Sequence, residues 1–435
     1  MSMIAGEEGN NELGYRYEEE FFEDVEIEAT YQSDESDAYI VSDQPKEESE
    51  LYYKMSSFVI IVIILICVLS AIPFNTTFKL ERDNVDAKNN YEYDKNSALN
   101  ELPYDDMAND DEIADFWETF HEFKQKYNKV YTNPEEETKR YEIFKHNLHK
   151  IDQLNKYEKE TNGKAVHGMT KFSDITHEEY KQLITGVRLP GSYREDTKSA
   201  PLPSYPQTNS LYSNWIGTYT TPIKDQEKCG SCWAVGSTEQ IESDTIRILG
   251  SFDGFTSSNT IFSDQQLLDC TYSKIDIHPG CNGGWPYDAF QYVMEKGLEY
   301  NYSYPYIGKN ESVCYAQPHD YIITLDSYTA IIGNETIMKD HVLTTGPLVM
   351  SVNAYQFQFY TGGVMTYCGE DAPVNHAVQG VGINLEDVNN QYWILRNSWN
   401  TEWGVDGYMY LEYGENKCNV SSYGGFTTPK KYKHK

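Results

Sequence analysis

The chain has 435 residues, with 68 Asp and Glu against 35 Lys and Arg and a formal net charge of −33. A length about three times that of a typical domain predicts two or more structural units, or one large unit with tails, and excludes a small scaffold held by disulfides alone. The negative charge speaks against nucleic acid or an acidic membrane surface as principal partner, and a hydrophobic fraction of only 39 % points to a polar region diluting an ordinary core.

In chain order, residues 1–57 come first, with 17 acidic side chains against Arg16, Lys46 and Lys54. Such a composition cannot bury enough apolar surface to fold, which predicts a disordered acidic tail on the cytosolic side. A trafficking signal in its Tyr and acidic clusters is the alternative. Residues 58–74 form an uncharged apolar run interrupted by Ser70 and Pro73. It sits at the short end of the ~17 to 25 residues that cross a bilayer. It also follows an acidic tail rather than a basic N-terminus, so a signal-anchor is expected in preference to a cleaved leader; a buried core helix is the other reading. Residues 75–111, rich in Asn, Asp and Tyr without apolar periodicity, read as a linker.

Eight cysteines occur: Cys67 in the apolar run, then Cys229, Cys232, Cys270, Cys281, Cys314, Cys368 and Cys418. Six of the last seven can pair and leave one thiol, the arithmetic of an oxidising compartment. This predicts a single-pass type II membrane protein with its C-terminal part in the lumen. A zinc site is not expected, because Cys229 to Cys232 is the one C-x-x-C and no second pair completes it.

From Ile113 to Tyr157 the periodicity is helical. Phe116, Phe120, Phe123 and Tyr127 form one stripe, Tyr141, Phe144, Leu148, Ile151 and Leu154 another, and Asn133-Pro134 separates the two helices. Glu136, Arg140, Phe144, Asn147, Ile151 and Asn155 also project near one face of the second helix. This interleaved spacing resembles the inhibitory propeptide of cathepsin L-like cysteine proteases. Gly168, Phe172 and Asp174 are similar to a second propeptide signature, with Thr170 where Asn is usual. The resemblance implies an inhibitory propeptide over residues 112–185 that runs through a substrate cleft in reverse. An activation linker over 186–208 and a peptidase domain over 209–435 would follow.

Chemistry begins at Gln226-Glu227-Lys228-Cys229-Gly230-Ser231-Cys232-Trp233-Ala234, which contains the C-G-S-C-W signature of papain and its relatives. Residues 233–249 read as a helix ending at Gly250, and a helix N-terminus favours a thiolate, which makes Cys232 the candidate nucleophile. A thiol nucleophile needs an imidazole to share its proton, and that imidazole needs an acceptor to orient it. Of the ten His, His376 opens an apolar strand-like run 144 residues beyond Cys232, and Asn397 follows the strand-like Tyr392 to Leu395. Asn397-Ser398-Trp399, Trp403-Gly404 and Gly407-Tyr408 resemble the papain-family block around the orienting Asn, with Asn400 replacing a Gly. Asn is the residue that best tolerates a left-handed backbone after Gly.

The resemblance, which covers roughly residues 113–430, implies an α+β fold of two lobes, one mainly helical and one β-rich, with the cleft between them. It implies that Gln226 and the Cys232 N–H hold the oxyanion and that Trp399 shields the His376–Asn397 hydrogen bond. It implies bridges Cys229–Cys281, Cys270–Cys314 and Cys368–Cys418, out of 15 connectivities that sequence alone allows. Gly283 and Gly284 become candidates for binding substrate backbone. Trp285, Pro286, Ser351, Ala377 and Tyr423 become candidates for the pocket that takes the second residue before the scissile bond, where a medium aliphatic side chain is expected.

The expected function is a cysteine endopeptidase made as a zymogen, acting on proteins and peptides without metal or cofactor, with its own propeptide as inhibitor and a monomeric mature form. Tail, anchor and zymogen together resemble the membrane-anchored vacuolar proteases of apicomplexan parasites, which implies a lysosome- or food-vacuole-like destination. His376 and Asn397 are only 21 positions apart, which leaves little room for the long hairpin with which some of those enzymes grip haemoglobin. Sequons at Asn75, Asn301, Asn310, Asn334 and Asn419 permit glycosylation. Val235 and Glu227 depart from the family near the nucleophile. The rival reading is a binding protein of the same fold without turnover, against which stands the retention of Cys232, His376, Asn397 and Gln226.

Overall fold

The computed structural model describes residues 110–188, 199–271, 280–311, 313–369 and 372–434. The predicted acidic tail 1–57 and apolar run 58–74, and all but the last residues of the linker 75–111, lie outside these. Two helices open the described chain, α1 (Asp110–Lys126) and α2 (Pro134–Thr161). Asn133 is the N-cap of α2, its side chain accepting the Glu136 N–H at 2.8 Å, with Pro134 in the first turn. The predicted break is therefore a helix start, where a missing Pro N–H costs nothing. The two helices meet through Phe120, Phe123, Tyr127, Tyr141 and Phe144, with the Phe123 and Phe144 rings 4.9 Å apart.

The short strand β1 (Val166–His167) follows, then α3 (His177–Ile184), which opens with a reciprocal Thr176–Glu179 capping box. Of the six signature side chains on α2, the polar ones brace this return. Arg140 reaches Glu136 and Glu179, each at 2.7 Å. Asn147 donates to the Ser173 and Ile175 carbonyls, and Asn155 exchanges two hydrogen bonds with the His167 backbone. Thr170, the departure from the expected Asn, donates its hydroxyl to the Gln358 carbonyl at 2.6 Å.

In the C-terminal unit, β2 (Tyr212–Asn214) precedes the long helix α4 (Cys232–Asp253), followed by α5 (Asp264–Cys270) and α6 (Pro286–Glu295). Helix α4 continues past Gly250 to a left-handed Gly254 with φ 77°. The reason Gly250 is glycine is crowding rather than termination, since a Cβ there would sit 2.8 Å from the Phe255 carbonyl oxygen.

Next come β3 (Ile323–Ile332), α7 (Glu335–Thr344), β4 (Leu348–Val352), β5 (Tyr360–Gly362) and β6 (Val364–Met365). The chain ends with β7 (His376–Asn384), β8 (Tyr392–Arg396), β9 (Tyr408–Glu412) and β10 (Tyr423–Lys431). They form a sheet of order β3-β10-β4-β7-β8-β9-β6, with β2 added to β7. Strand β7 is buried on both faces through its first eight residues, which is why it reads as an apolar and Gly-rich run rather than an alternation.

One hydrophobic cluster lies around β4, β7, β8 and β9, the other around α4 and α6, as the two-lobe expectation requires. The N-terminal unit joins the first: Phe172, Tyr180 and Ile184 pack with Phe357, Tyr360 and Trp399, and β1 pairs with β5. Burying Phe172 and Tyr180 contributes roughly 1.5–3 kcal/mol each.

The expected type II membrane topology must be corrected. Among the described residues no helix is long and apolar enough to cross a membrane. The longest, α2 with 28 residues, carries charged side chains along its whole length, and α4 buries Glu239, Glu242 and Asp244 within the protein.

Candidate active site

Cys232 is the first residue of α4 and fully buried. Its sulfur lies within reach of the backbone N–H groups of Ala377, Trp233, Gly186 and its own residue, all of which favour a thiolate. Burial outweighs them and pushes the thiol up to about 12. His376 begins β7, immediately before Ala377. Its Nε2 is 2.8 Å from Asn397 Oδ1, while Nδ1 is buried with no hydrogen-bond partner. Burial lowers the imidazole to about 4, against the opposing pull of Asn397. With the Nε2 proton donated to Asn397, the tautomer leaves Nδ1 as the free base. Asn397 Oδ1 also accepts the Ser398 N–H at 2.8 Å, which fixes the amide.

The Trp399 ring lies 4.8 Å from that of His376 and is buried against Trp403, so water is kept from the His376–Asn397 pair. Asn400 adopts φ 67°, the left-handed backbone expected where Gly is replaced. Gln226 is buried; its Oε1 accepts from Ser398 Oγ at 2.7 Å and Trp399 Nε1 at 3.2 Å, and its Nε2 donates to the Cys229 carbonyl. The structure thus brings Cys232, His376, Asn397, Gln226 and Trp399 together around one cleft floor. Glu227 next to them takes φ 54° at the exposed rim, and Val235 is buried in α4.

The segment 185–188 fills this cleft. Gly186 and Val187 donate to the Asn375 carbonyl at 3.0 Å, Arg188 donates to the Gly284 carbonyl, and Gly284 donates to the Gly186 carbonyl. Val187 and Gly284 pair in parallel. A Cβ on Gly186 would overlap Cys232 Sγ and approach the Gly230 carbonyl oxygen to 2.8 Å, so only glycine passes over the Cys232 thiol. Gly283, at φ 97°, faces the Gly186 backbone across 3.1 Å from its own would-be Cβ. Gly186 and Asn375 are site residues that sequence reasoning missed. Gly186 looked like the start of a linker, and Asn375 acts through its backbone.

Beside the cleft a recess is lined by Trp285, Pro286, Tyr287, Val349, Met350, Ser351, Tyr423 and Gly424. Four of the five anticipated pocket residues are among them. Ala377 is not: it packs beneath α4, where Gly236 leaves room for it. The three disulfides are Cys229–Cys281, Cys270–Cys314 and Cys368–Cys418, and Cys232 is the free cysteine among the described residues.

Comparison with known proteins agrees with this geometry. Residues 212–427 match the papain family cysteine protease profile, and residues 120–180 match the cathepsin propeptide inhibitor domain. Cysteine proteinase 1 of Dictyostelium discoideum is 31 % identical over 325 residues, spanning 70 % of this chain and 90 % of that protein. The chain belongs to the papain family of cysteine proteases. The thiol protease aleurain of Arabidopsis thaliana is 33 % identical, with 70 % and 82 % of the two chains covered. Procathepsin L 3 from the larval midgut of Tenebrio molitor superimposes with a TM-score of 0.64 at 28 % identity, over 72 % of this chain and 99 % of its own. The protein is therefore a cysteine endopeptidase with its cathepsin-type propeptide in place, in the papain-like α+β fold. These relatives carry no support for the narrower resemblance to anchored apicomplexan enzymes.

Proposed function

We propose that this papain-family protein is a protein-degrading endopeptidase held latent by residues 185–188 and switched on when the propeptide leaves. The observation that carries the reading is the His376–Asn397 hydrogen bond at 2.8 Å beside a buried helix-terminal thiol whose sulfur meets the Ala377 N–H. Once the cleft is hydrated, the α4 N-terminus and His376 together favour a thiolate–imidazolium pair. Cys232 Sγ attacks the peptide carbonyl, and the oxygen takes up negative charge facing the Gln226 amide and the Cys232 N–H. The C–N bond breaks as protonated His376 gives its proton to the departing amine, leaving a thioester. Water, deprotonated by neutral His376, attacks the thioester and returns the thiol. Asn397 holds the ring in the orientation both steps need.

Gly283 and Gly284 offer the backbone to substrate, as Gly284 does to the propeptide. The recess lining, which includes Tyr423, holds no carboxylate, which supports Leu or Val rather than Arg at the second position before the scissile bond. The test is cleavage of matched fluorogenic peptides with Leu, Val or Arg at that position by the acid-treated full chain in thiol, beside Cys232→Ala. Turnover of the Leu and Val peptides, absent in the variant, is expected. A preference for Arg would overturn the specificity, and equal turnover by Cys232→Ala would overturn the mechanism.

A further inference from the structure

The oxyanion site has two donors on separate stretches of chain, the Gln226 side chain and the Cys232 N–H. Between them runs a tight loop, 226–231, containing the left-handed Glu227. The phenol of Tyr306 touches both stretches, beside the Ser398 and Trp399 bonds that hold Gln226 and the Cys281 carbonyl and disulfide that hold residues 229–230. Its hydroxyl donates to the Gln226 carbonyl at 2.8 Å and lies 2.6 Å from Ser231 Oγ. With the phenol proton committed to Gln226, the Ser231 hydroxyl is the donor of the second bond, so the order is Ser231 to Tyr306 to Gln226, each bond polarising the next. Ser231 is fully buried, and as N-cap of α4 it makes no side-chain capping bond. Its hydroxyl is therefore spent on Tyr306 rather than on the helix. Burial holds the phenol above its ordinary range, so it remains a donor at every pH at which the enzyme works.

Tyr306 is itself anchored. The Ile307 N–H donates to Gln265 Oε1, Gln265 donates to Asp269 and to the Lys309 carbonyl, and Cys270–Cys314 ties the loop to α5. We propose that Tyr306 is a positioning residue of the oxyanion site, fixing the Gln226 and Ser231 backbones relative to each other so that both donors reach the same oxygen. The inference rests on the reading of Gln226 as an oxyanion donor. Removing the hydroxyl cuts a side-chain link that spans the two stretches and loosens donors that act only on the tetrahedral state. The thiolate–imidazolium pair, built from Cys232, His376 and Asn397, is left as it was. The expected signature is a loss in kcat without a matching loss in KM or in thiol reactivity.

The experiment compares parent, Tyr306→Phe and Gln226→Ala, each produced as the full chain and processed with added pepsin at acid pH. Three quantities are read: kcat and KM on a Leu-containing peptide, affinity for a peptide aldehyde that forms an oxyanion on Cys232, and the pH profile of iodoacetamide alkylation, which needs the thiolate but no oxyanion site. Tyr306→Phe is expected to lower kcat and aldehyde affinity by about tenfold or more, short of the 10²–10³ of a deleted donor, with KM and the alkylation profile unchanged. Unchanged kcat overturns the proposal, as does a parallel fall in turnover and alkylation. Unaffected turnover in Gln226→Ala overturns the underlying oxyanion reading instead. Should Tyr306→Phe not accumulate folded, Ser231→Ala removes the other bond, and the same split, or its absence, decides.

Discussion

His177 is expected to make release of the propeptide acid-sensitive. His177, in the first turn of α3, places Nδ1 3.1 Å from Gln358 Oε1 of the peptidase unit, and its ring stacks beside Tyr180. The charged groups facing it are Lys150 on α2 and Lys181 and Glu178 on α3. Burial, with Lys150 next and Lys181 behind the Gln358 bond, pulls His177 down to about 4, and burial likewise lowers Lys150 to about 8. In a released propeptide His177 returns to its ordinary value near 6.5. A folded-state value below the free one means that the docked state binds fewer protons between pH ~6.5 and ~4, so acidification in that window favours release. Linkage puts the difference at about 2 kcal/mol at pH 5 and close to zero at pH 7, roughly a twentyfold change in the docked-to-released ratio. The assay is fluorescent alkylation of Cys232 in the full chain, timed before any chain shortening, for parent and His177→Gln at pH 7 and pH 5. The intrinsic pH dependence of alkylation cancels in the ratio of the two proteins. That ratio is expected to shift by about tenfold or more in favour of the parent on acidification. A shift below about twofold would refute the assignment.

Other consequences are as open to test. Gly186→Ala forces a methyl group against Cys232 Sγ and the Gly230 carbonyl, so the variant zymogen should label and activate faster than the parent at pH 7; undiminished latency would mean the crossing is not tight. Glu239, fully buried beside Arg396, is raised to about 7 by burial. A carboxyl raised above its ordinary value withdraws stability as pH climbs from about 4.5 through 7. Glu239→Gln removes that titration as well as the carboxylate partner of Arg396, so its stability relative to the parent is expected to rise by about 1–3 kcal/mol between pH 4.5 and pH 7.5, on top of a pH-independent cost of unpairing Arg396, read as thermal midpoints; equal shifts at both pH values would contradict it. Asn397→Ala leaves His376 Nε2 with no acceptor and should cost kcat about tenfold or more, with the loss concentrated in kcat rather than KM.

Much of the site was legible because the chemistry restricts residue types. Only a thiol at a helix start, an imidazole opening an apolar strand and an amide beside Trp399 serve the roles proposed for Cys232, His376 and Asn397, and such types at fixed positions survive in the sequence. The groups that were missed act through backbone. The Asn375 carbonyl clamps Gly186 and Val187, and any residue has a carbonyl. The recess gathers Tyr287, Met350 and Gly424 from α6, β4 and β10, elements far apart in the chain whose register no local pattern reveals. Gly250 misled for a related reason: a glycine demanded by the neighbouring Phe255 carbonyl looks in sequence like a helix end.

The manner of latency follows from the same contrast. In the zymogen His376 is already bonded to Asn397, and Gln226 is already gripped by Ser398 and Trp399. No catalytic side chain proposed here waits to be moved. Burial in the filled cleft pushes the Cys232 thiol up and the His376 imidazole down, so both favour their neutral forms there. The residue lying against the Cys232 thiol is Gly186, which brings no side chain to it and covers it with backbone. On this reading latency joins an occupied cleft to a desolvated thiol and imidazole, laid over an assembled site. Admitting water to residues 185–188 should restore the ion pair without rearrangement, and the zymogen and mature forms should share the same His376–Asn397 geometry.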